Sequence, residues 1–349
     1  MKRKITKTIY VRGVPIGGGN PIPVQSMTNT HTDDVPATLA QLRRLEAAGC
    51  QIVRLAVPNA LAARALPEIR RGTDLPLVAD IHFDYRLALA AVEAGFDKIR
   101  INPGNIGSSE RVRMVADACR ERGVPIRIGV NSGSVEKGLL EKYGLCAKTL
   151  CESALGHAKL LENCGFEDIC ISVKASDPAM TVEANRLLST LCDYPLHLGV
   201  TEAGTKERGI LKSAAGIGSL LLDGIGDTIR VSLTDAPEEE VRTGTELLRA
   251  LGLRSGVRFV SCPTCGRTEY DLIGTAKAVE ERLRDKPWDI TVAVMGCVVN
   301  GPGEASHADY GIAGGKSEGV IFKHGEPVAR VASDKLADAL VELIESENG

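Results

Sequence analysis

Three observations predict a TIM (β/α)8 barrel followed by a small α+β domain. From Val24 onward, short β-branched runs alternate with longer amphipathic stretches, the pattern of strand–helix units around a parallel sheet. Eight such units fall within roughly 230 residues, which suits a closed barrel better than an open doubly wound sheet. Beyond a short polar connector, Leu251 to Gly256, the rhythm changes to a shorter mixture of strand-like and helix-like segments.

The eight strands are expected at 24–28, 52–58, 77–83, 98–104, 126–133, 168–176, 196–204 and 228–234. Helical periodicity fills the intervals at 38–48, 86–94, 109–122, 149–163, 181–192 and 237–251, and most of these stretches close at or near a glycine. Upstream, 9–14 and 22–24 flank Gly17-Gly18-Gly19-Asn20 and predict a hairpin plugging the barrel's N-terminal end. No helix follows the glycine triplet, so it reads as a turn and not as a phosphate loop. The domains are therefore expected at 1–251 and 252–349. The second should hold a strand at 257–261, a helix at 269–283, a strand at 290–295, a hairpin at 320–331 turning on His324-Gly325, and a final helix at 333–345.

With 349 residues and 44% hydrophobic content, the chain can bury one large and one smaller core. A net charge of −3 and 3% aromatic residues supply neither the basic field nor the stacking platform of a nucleic-acid binder. The basic start, Met1 to Lys7, leads into no apolar segment, and no apolar run is long enough to cross a bilayer, so a cytoplasmic protein without membrane attachment is expected. Seven cysteines, Cys50, Cys119, Cys146, Cys151, Cys164, Cys170 and Cys192, are scattered through apolar patterns and read as small core residues of a reducing compartment.

Five strands carry a cation among apolar neighbours: Val53-Arg54-Leu55, Ile99-Arg100-Ile101, Ile126-Arg127-Ile128, Val173-Lys174-Ala175 and Ile229-Arg230-Val231. A strand alternates its faces, so Asn102, Gly129, Asn131, Ser176 and Ser232 share a face with the last four. One buried arginine is commonly paired structurally, because an unpaired buried charge costs several kcal/mol. Five, with few strand carboxylates beyond Asp80 and Glu202, leave a positive lumen suited to a polyanion, and a diphosphate matches the bidentate reach of arginine. Asp80-Ile81-His82 lies on strand 3, and Thr201-Glu202-Ala203-Gly204 ends strand 7 at the face where barrel enzymes hold their chemistry. Glu202 is the expected proton donor, with a salt bridge to a lumen arginine as its structural alternative. Lys174 also permits a Schiff-base aldolase.

In the second domain, Ser261-Cys262-Pro263-Thr264-Cys265-Gly266 is followed by Met295-Gly296-Cys297 and Asn300-Gly301-Pro302-Gly303-Glu304. Three thiolates suit a metal. With His307 and His324 as the region's histidines, the alternatives are a zinc site completed by histidine, a dithiol pair, or an iron–sulfur cluster with an unusual fourth ligand. The glycines around Pro302, which allow close backbone approach to an inorganic core, favour the cluster.

Together these residues closely resemble the 4-hydroxy-3-methylbut-2-en-1-yl diphosphate synthase family, bacterial iron–sulfur enzymes of the non-mevalonate isoprenoid pathway. The resemblance spans the chain and rests on Val24-Gln25-Ser26-Met27-Thr28, Ala79-Asp80-Ile81-His82-Phe83, Arg100-Ile101-Asn102-Pro103-Gly104, Gly129-Val130-Asn131-Ser132-Gly133, Gly199 to Gly204, Ser261 to Arg267 and Asn300 to Glu304. It implies a 4Fe-4S cluster on Cys262, Cys265, Cys297 and Glu304. It implies as substrate 2-C-methyl-D-erythritol 2,4-cyclodiphosphate, ring-opened, reduced by two electrons and dehydrated. Candidate substrate contacts are Gln25, Ser26, Arg54, Asp80, His82, Arg100, Asn102, Arg127, Asn131, Lys174, Thr201, Arg230, Ser232 and Asn300, with Glu202 catalytic. Electrons would come from flavodoxin or ferredoxin, since no flavin or nicotinamide fingerprint is present.

The eighth helix should run back to the barrel's N-terminal face, away from the catalytic mouth. A connector of about six residues reaches at most about 20 Å, too little to round a barrel. A head-to-tail homodimer, in which one chain's cluster domain completes its partner's barrel, is therefore expected.

Overall fold

The computed structural model describes residues 2–297, 303 and 305–349. Two compact units follow one another, Met1–Leu251 and Gly252–Gly349.

In the first unit, six parallel strands form a continuous curved sheet: β3 (Gln25–Met27), β4 (Ile52–Ala56), β5 (Leu77–Asp80), β6 (Lys98–Ile101), β7 (Ile126–Asn131) and β8 (Ile169–Lys174). Two short strands, β9 (His197–Leu198) and β10 (Thr228–Ile229), pair in parallel with each other. Parallel bridges Ile171↔Leu196 and Val24↔Ile229 join that pair to β8 on one side and β3 on the other, so all eight strands close into a ring. Strands β4 to β8 are almost wholly buried on both faces, as a helix-wrapped parallel sheet requires.

The helices wrap outside the ring. Helix α1 (Val35–Ala47) is N-capped by Asp34, α2 (Ala60–Arg71) by Asn59, α3 (Tyr85–Glu93) by Asp84 and α7 (Pro178–Leu191) by Asp177, each side chain accepting a backbone N–H of the first turn. Helix α4 (Ser109–Arg122) ends on Gly123 at φ 64°, a left-handed C-cap. Helices α5 (Lys137–Tyr143) and α6 (Ala147–Glu162) share one connection, α8 (Lys206–Ser213) and α9 (Ser219–Leu222) are joined by a π turn, and α10 (Pro237–Ala250) closes the circuit. Among the described residues no helix is long and apolar enough to cross a membrane.

The N-terminal hairpin pairs β1 (Ile9–Val11) with β2 (Val14–Ile16). Its turn is Arg12-Gly13, both at positive φ (46° and 81°), and not the glycine triplet expected from the sequence. The triplet forms a separate left-handed bend against the chain's start: a Cβ on Gly17 or Gly18 would collide with Lys7 or Thr8. Ile9, Val11 and Ile16 are buried with Ile52, Val78 and Cys170, inward residues near the starts of β4, β5 and β8. That places the hairpin over the barrel's N-terminal mouth.

In the second unit, β11 (Arg258–Ser261), β12 (Thr291–Met295) and β13 (Tyr310–Ala313) run parallel, and β14 (Glu318–Lys323) and β15 (Glu326–Ala332) continue the sheet antiparallel. Strand β13 has no counterpart in the sequence-based expectation, because Tyr310-Gly311-Ile312-Ala313 is short and glycine-interrupted. His324 (φ 48°) and Gly325 (φ 82°) turn the β14–β15 hairpin. Helices α11 (Leu272–Leu283) and α12 (Leu336–Asn348) bury Val279, Leu283, Leu340 and Ile344 against the sheet in a core separate from the barrel's.

Candidate active site

Parallel strands paired in register present facing residues on the same side, so the pairings Met27↔Arg54, Asp80↔Arg100, Arg100↔Arg127 and Asn131↔Lys174 send all of these side chains into the barrel lumen. Arg54 lies 3.6 Å from Asp80 Oδ2, and Arg100 donates to Asp80 Oδ1 at 3.0 Å and to the Gly129 carbonyl at 3.0 Å. Arg127 donates to Gln25 Oε1 at 2.9 Å. Arg54 also points its guanidinium at the Met27 sulfur, 2.9 Å away. Two glycines make room for the cations. A Cβ on Gly129 would collide with the Arg100 guanidinium, and one on Gly199 would come within 2.5 Å of Lys174 Nζ.

Burial works against ionisation of Asp80, but Arg54, His82 and Arg100 outweigh it and hold its carboxyl far below the usual range. The cations feel the opposite pressure. Burial lowers Arg54 to about 9 and Arg127 to about 10, so both stay charged at neutral pH. Lys174 is pulled well below an ordinary lysine by burial and then by Arg127, Arg230, Arg54 and Arg100. Among the described lumen residues, Arg54, Arg100, Arg127 and Lys174 thus share one carboxylate, Asp80. This is the environment a polyanion would relieve.

The remaining candidates divide by location. Asn102 follows β6 and is 4% exposed, and both of its side-chain amide atoms lack a hydrogen-bond partner among the described residues, a capacity that a guest could use. Asn131 caps the turn that follows β7 through the backbone and hydroxyl of Ser134. His82 is exposed and sits 3.8 Å from Asp80. Thr201 and Ser232 are half-buried beyond the ends of β9 and β10. Arg230 is matched by Glu240, whose two oxygens accept from it at 3.2 Å each. Ser26 departs from the expected role. It pairs with Val53 on the outer side of β3 and donates to Glu240 Oε2 at 3.0 Å, so it steadies the partner of Arg230 instead of facing the lumen. Asn300 lies outside the described residues.

Glu202 is exposed and holds φ 52°, left-handed backbone that a non-glycine residue rarely adopts. Such strain clusters at functional positions, where the surrounding structure fixes a side chain's direction. Sequence reasoning passed over Glu240, Met27, and the buried Lys98 and His197. Lys98 Nζ and both His197 nitrogens are fully buried without a hydrogen-bond partner among the described residues, and burial lowers Lys98 to about 7. Lys98 begins the same run as Arg100 and shares its face, which was the available signal.

In the second unit, β11 and β12 are parallel neighbours ending at Ser261↔Val294, so Cys262 and Cys297 leave the sheet at one edge. Cys262 N–H donates to the Val294 carbonyl at 3.0 Å, and a Cβ on Gly296 would sit 3.8 Å from Cys262 Sγ. Cys262 and Cys297 are half-buried and Cys265 is exposed. Thr268 Oγ1 is enclosed beside Gly296 with no hydrogen-bond partner among the described residues, a hydroxyl that suits a sulfur-rich guest. Three thiols at one sheet edge with an unspent donor fit a cluster. Among the described residues no three ligating side chains are already gathered around a single point, and Glu304 lies outside them. The barrel thiols differ: burial pushes Cys50, Cys119 and Cys151 up to about 12, which leaves them unreactive. Cys146, Cys164 and Cys192, by contrast, are half-buried and not the core residues expected from the sequence, and a hydrogen bond with Thr149 lowers Cys146.

Residues 6–245 match the family described as the GcpE TIM-barrel domain. The chain belongs to the GcpE family. Residues 258–346 match the GcpE protein C-terminal domain, which contains the three cysteines. A relative from Fusobacterium nucleatum, 57% identical over 98% of this chain and 97% of its own, is named 4-hydroxy-3-methylbut-2-en-1-yl diphosphate synthase (flavodoxin). Relatives of the same name from Clostridium acetobutylicum and Geobacter sulfurreducens are each 57% identical over 99% of this chain, covering 100% and 98% of theirs. Among solved structures, dihydropteroate synthases from Stenotrophomonas maltophilia and Burkholderia cenocepacia superpose with TM-scores of 0.51 at 15% identity. They cover 71% of this chain and 97% and 99% of theirs, a likeness of fold alone.

Proposed function

We propose that this GcpE chain converts 2-C-methyl-D-erythritol 2,4-cyclodiphosphate to 4-hydroxy-3-methylbut-2-enyl diphosphate, the product in its relatives' name. The observation that carries the reading is the lumen's cation excess, Arg54, Arg100, Arg127 and Lys174 against Asp80, together with a strained Glu202 in the segment after β9. Arg100 and Arg127 fork onto diphosphate oxygens, Lys174 adds a point charge, and Asn102 and Asn131 orient the carbon skeleton. Arg54 and Arg100 keep Asp80 ionised, and Asp80 in turn fixes their guanidinium planes. In the overall change one ring carbon–oxygen bond breaks, a double bond forms, and two electrons and two protons enter as one hydroxyl departs as water. Glu202 protonates that hydroxyl.

Cys262, Cys265, Cys297 and Glu304 would hold a 4Fe-4S cluster, which when bound supplies the two electrons and a Lewis-acidic iron. The flavodoxin in the relatives' names makes a flavodoxin the donor to test first. The connector is short, so the reading includes a head-to-tail dimer in which each lumen is served by the partner's cysteine domain. Mixing inactive Cys297→Ala and Glu202→Gln proteins should then restore part of the activity through one repaired site. No recovery despite proven subunit exchange would remove the dimer.

The test is anaerobic turnover of the cyclodiphosphate with reduced flavodoxin by protein carrying about four irons and four sulfides per chain. Product formation is expected. A colourless zinc-loaded protein, or an iron–sulfur protein that leaves the cyclodiphosphate intact, would overturn the reading.

Lys174 adds a pH signature. Its depressed pKa in the free lumen rises when a polyanion binds, so binding takes up a proton. Affinity should therefore fall as pH rises through the free amine's pKa, by up to about tenfold per unit. Titration calorimetry in buffers of different ionisation heat reads this directly, and Lys174→Met should abolish it.

A further inference from the structure

The two loops that carry Asn102 and Asn131 leave adjacent strands of the catalytic mouth, and one side chain of the outer helical layer touches both. His157, on α6 and 3% exposed, accepts the Gly104 N–H on Nδ1 at 3.2 Å. Its Nε2 lies 2.7 Å from Glu136 Oε1, with the carboxylate off the N–H axis, so this second contact is electrostatic in character. Gly104 belongs to the turn Pro103–Asn105 directly after Asn102, and Glu136 N-caps α5 directly after the Asn131 turn. A Cβ on Gly104 would collide with the imidazole, so glycine is what lets the ring reach the loop. Among the described residues, no other hydrogen bond joins the backbone of either loop to α6.

An imidazole that accepts on Nδ1 must be neutral with its proton on Nε2, where it faces the carboxylate. Burial, opposed by Glu136, keeps His157 below an ordinary histidine, in agreement with that tautomer. Among the described residues, Glu136 is the charged group that faces it from the elements packed around α6. Protonation would turn Nδ1 into a second donor aimed at the Gly104 N–H and break the latch on that side.

We infer that His157 is a positioning residue that latches the Asn102 and Asn131 loops to each other and so sets the affinity for substrate at the lumen mouth. This rests on the proposed cyclodiphosphate reading for its kinetic consequence, but the latch itself is a property of the chain. Binding energy lost from two asparagines raises KM and leaves the proton donor untouched.

The experiment compares His157→Phe, which keeps the ring's volume and removes both contacts, with His157→Asn, whose Oδ1 can still accept from Gly104. Amide exchange of Gly104 in the full-length protein reads the latch without any turnover. Fast exchange is expected in Phe, with parent-like protection in Asn. In cluster-loaded enzyme, Phe should raise KM for the cyclodiphosphate about tenfold with kcat within about twofold, Asn should restore most of it, and parent KM should rise in acid where Asn does not. Gly104→Ala should reproduce the Phe phenotype and add little on top of it. Equal exchange and equal KM in Phe, Asn and parent would overturn the inference, as would a fall in kcat at unchanged KM. A parent enzyme inert to the cyclodiphosphate would sink the functional reading instead, leaving the exchange result to decide the latch.

Discussion

Glu202→Gly is expected to give a protein that is more stable than the parent and does not turn over. Glu202 sits at φ 52° just past β9, where a Cβ is crowded by the following carbonyl. Relief of that crowding is worth about 1–2 kcal/mol, and the extra freedom glycine gives the unfolded chain offsets about half. A net gain of about 0.5–1 kcal/mol should appear as a higher urea midpoint at unchanged slope. Glu202→Gln keeps the strain and the shape but removes the proton, so its midpoint should match the parent while kcat falls about 10²–10⁴-fold. Full turnover in the Gln variant with an intact cluster would show that another group protonates the leaving hydroxyl. A Gly variant no more stable than the parent would show that the left-handed backbone is not strained at all.

The second large effect belongs to the sheet edge of the C-terminal unit. Cys297→Ala is expected to lose the iron–sulfur absorption and drop turnover to background, while binding of the cyclodiphosphate to the barrel stays within about twofold. The reason is the separation of the two cores: Val279, Leu283, Leu340 and Ile344 stabilise the cysteine-bearing sheet independently of the barrel. Cys297 follows β12 after Gly296, and its thiolate is the one contributed from a segment other than the Cys262–Cys265 turn. Iron and sulfide analysis, absorption and calorimetric binding on the same preparation separate the two functions. Retained iron at four per chain would remove Cys297 from the ligand set.

The strands, most helices and the motif-bearing loops were legible because periodicity, caps and glycine stops are local properties that survive in one dimension. The lumen cations were legible for the same reason, since alternation along a strand decides which residues share a face. Ser26 shows the limit of that reasoning. Its motif suggests a lumen contact, but the pairing of β3 with β4 sets Gln25 and Met27 inward and turns Ser26 toward Glu240. The hairpin turn moved to Arg12-Gly13 because backbone packing against Lys7 and Thr8 claims the glycine triplet. Strand β13 forms only because β12 and β14 offer hydrogen bonds on both sides of a weak segment.

By itself, then, the sequence determined the barrel-plus-sheet order, the charge of the lumen and the three thiols, all carried by residue type and spacing. Tertiary structure alone decided three things: the inward or outward face of each motif residue, the left-handed backbone under Glu202, and the contact of His157 with two loops. Each of these depends on which distant segments become neighbours, through pairing register and excluded volume, and no local pattern encodes that.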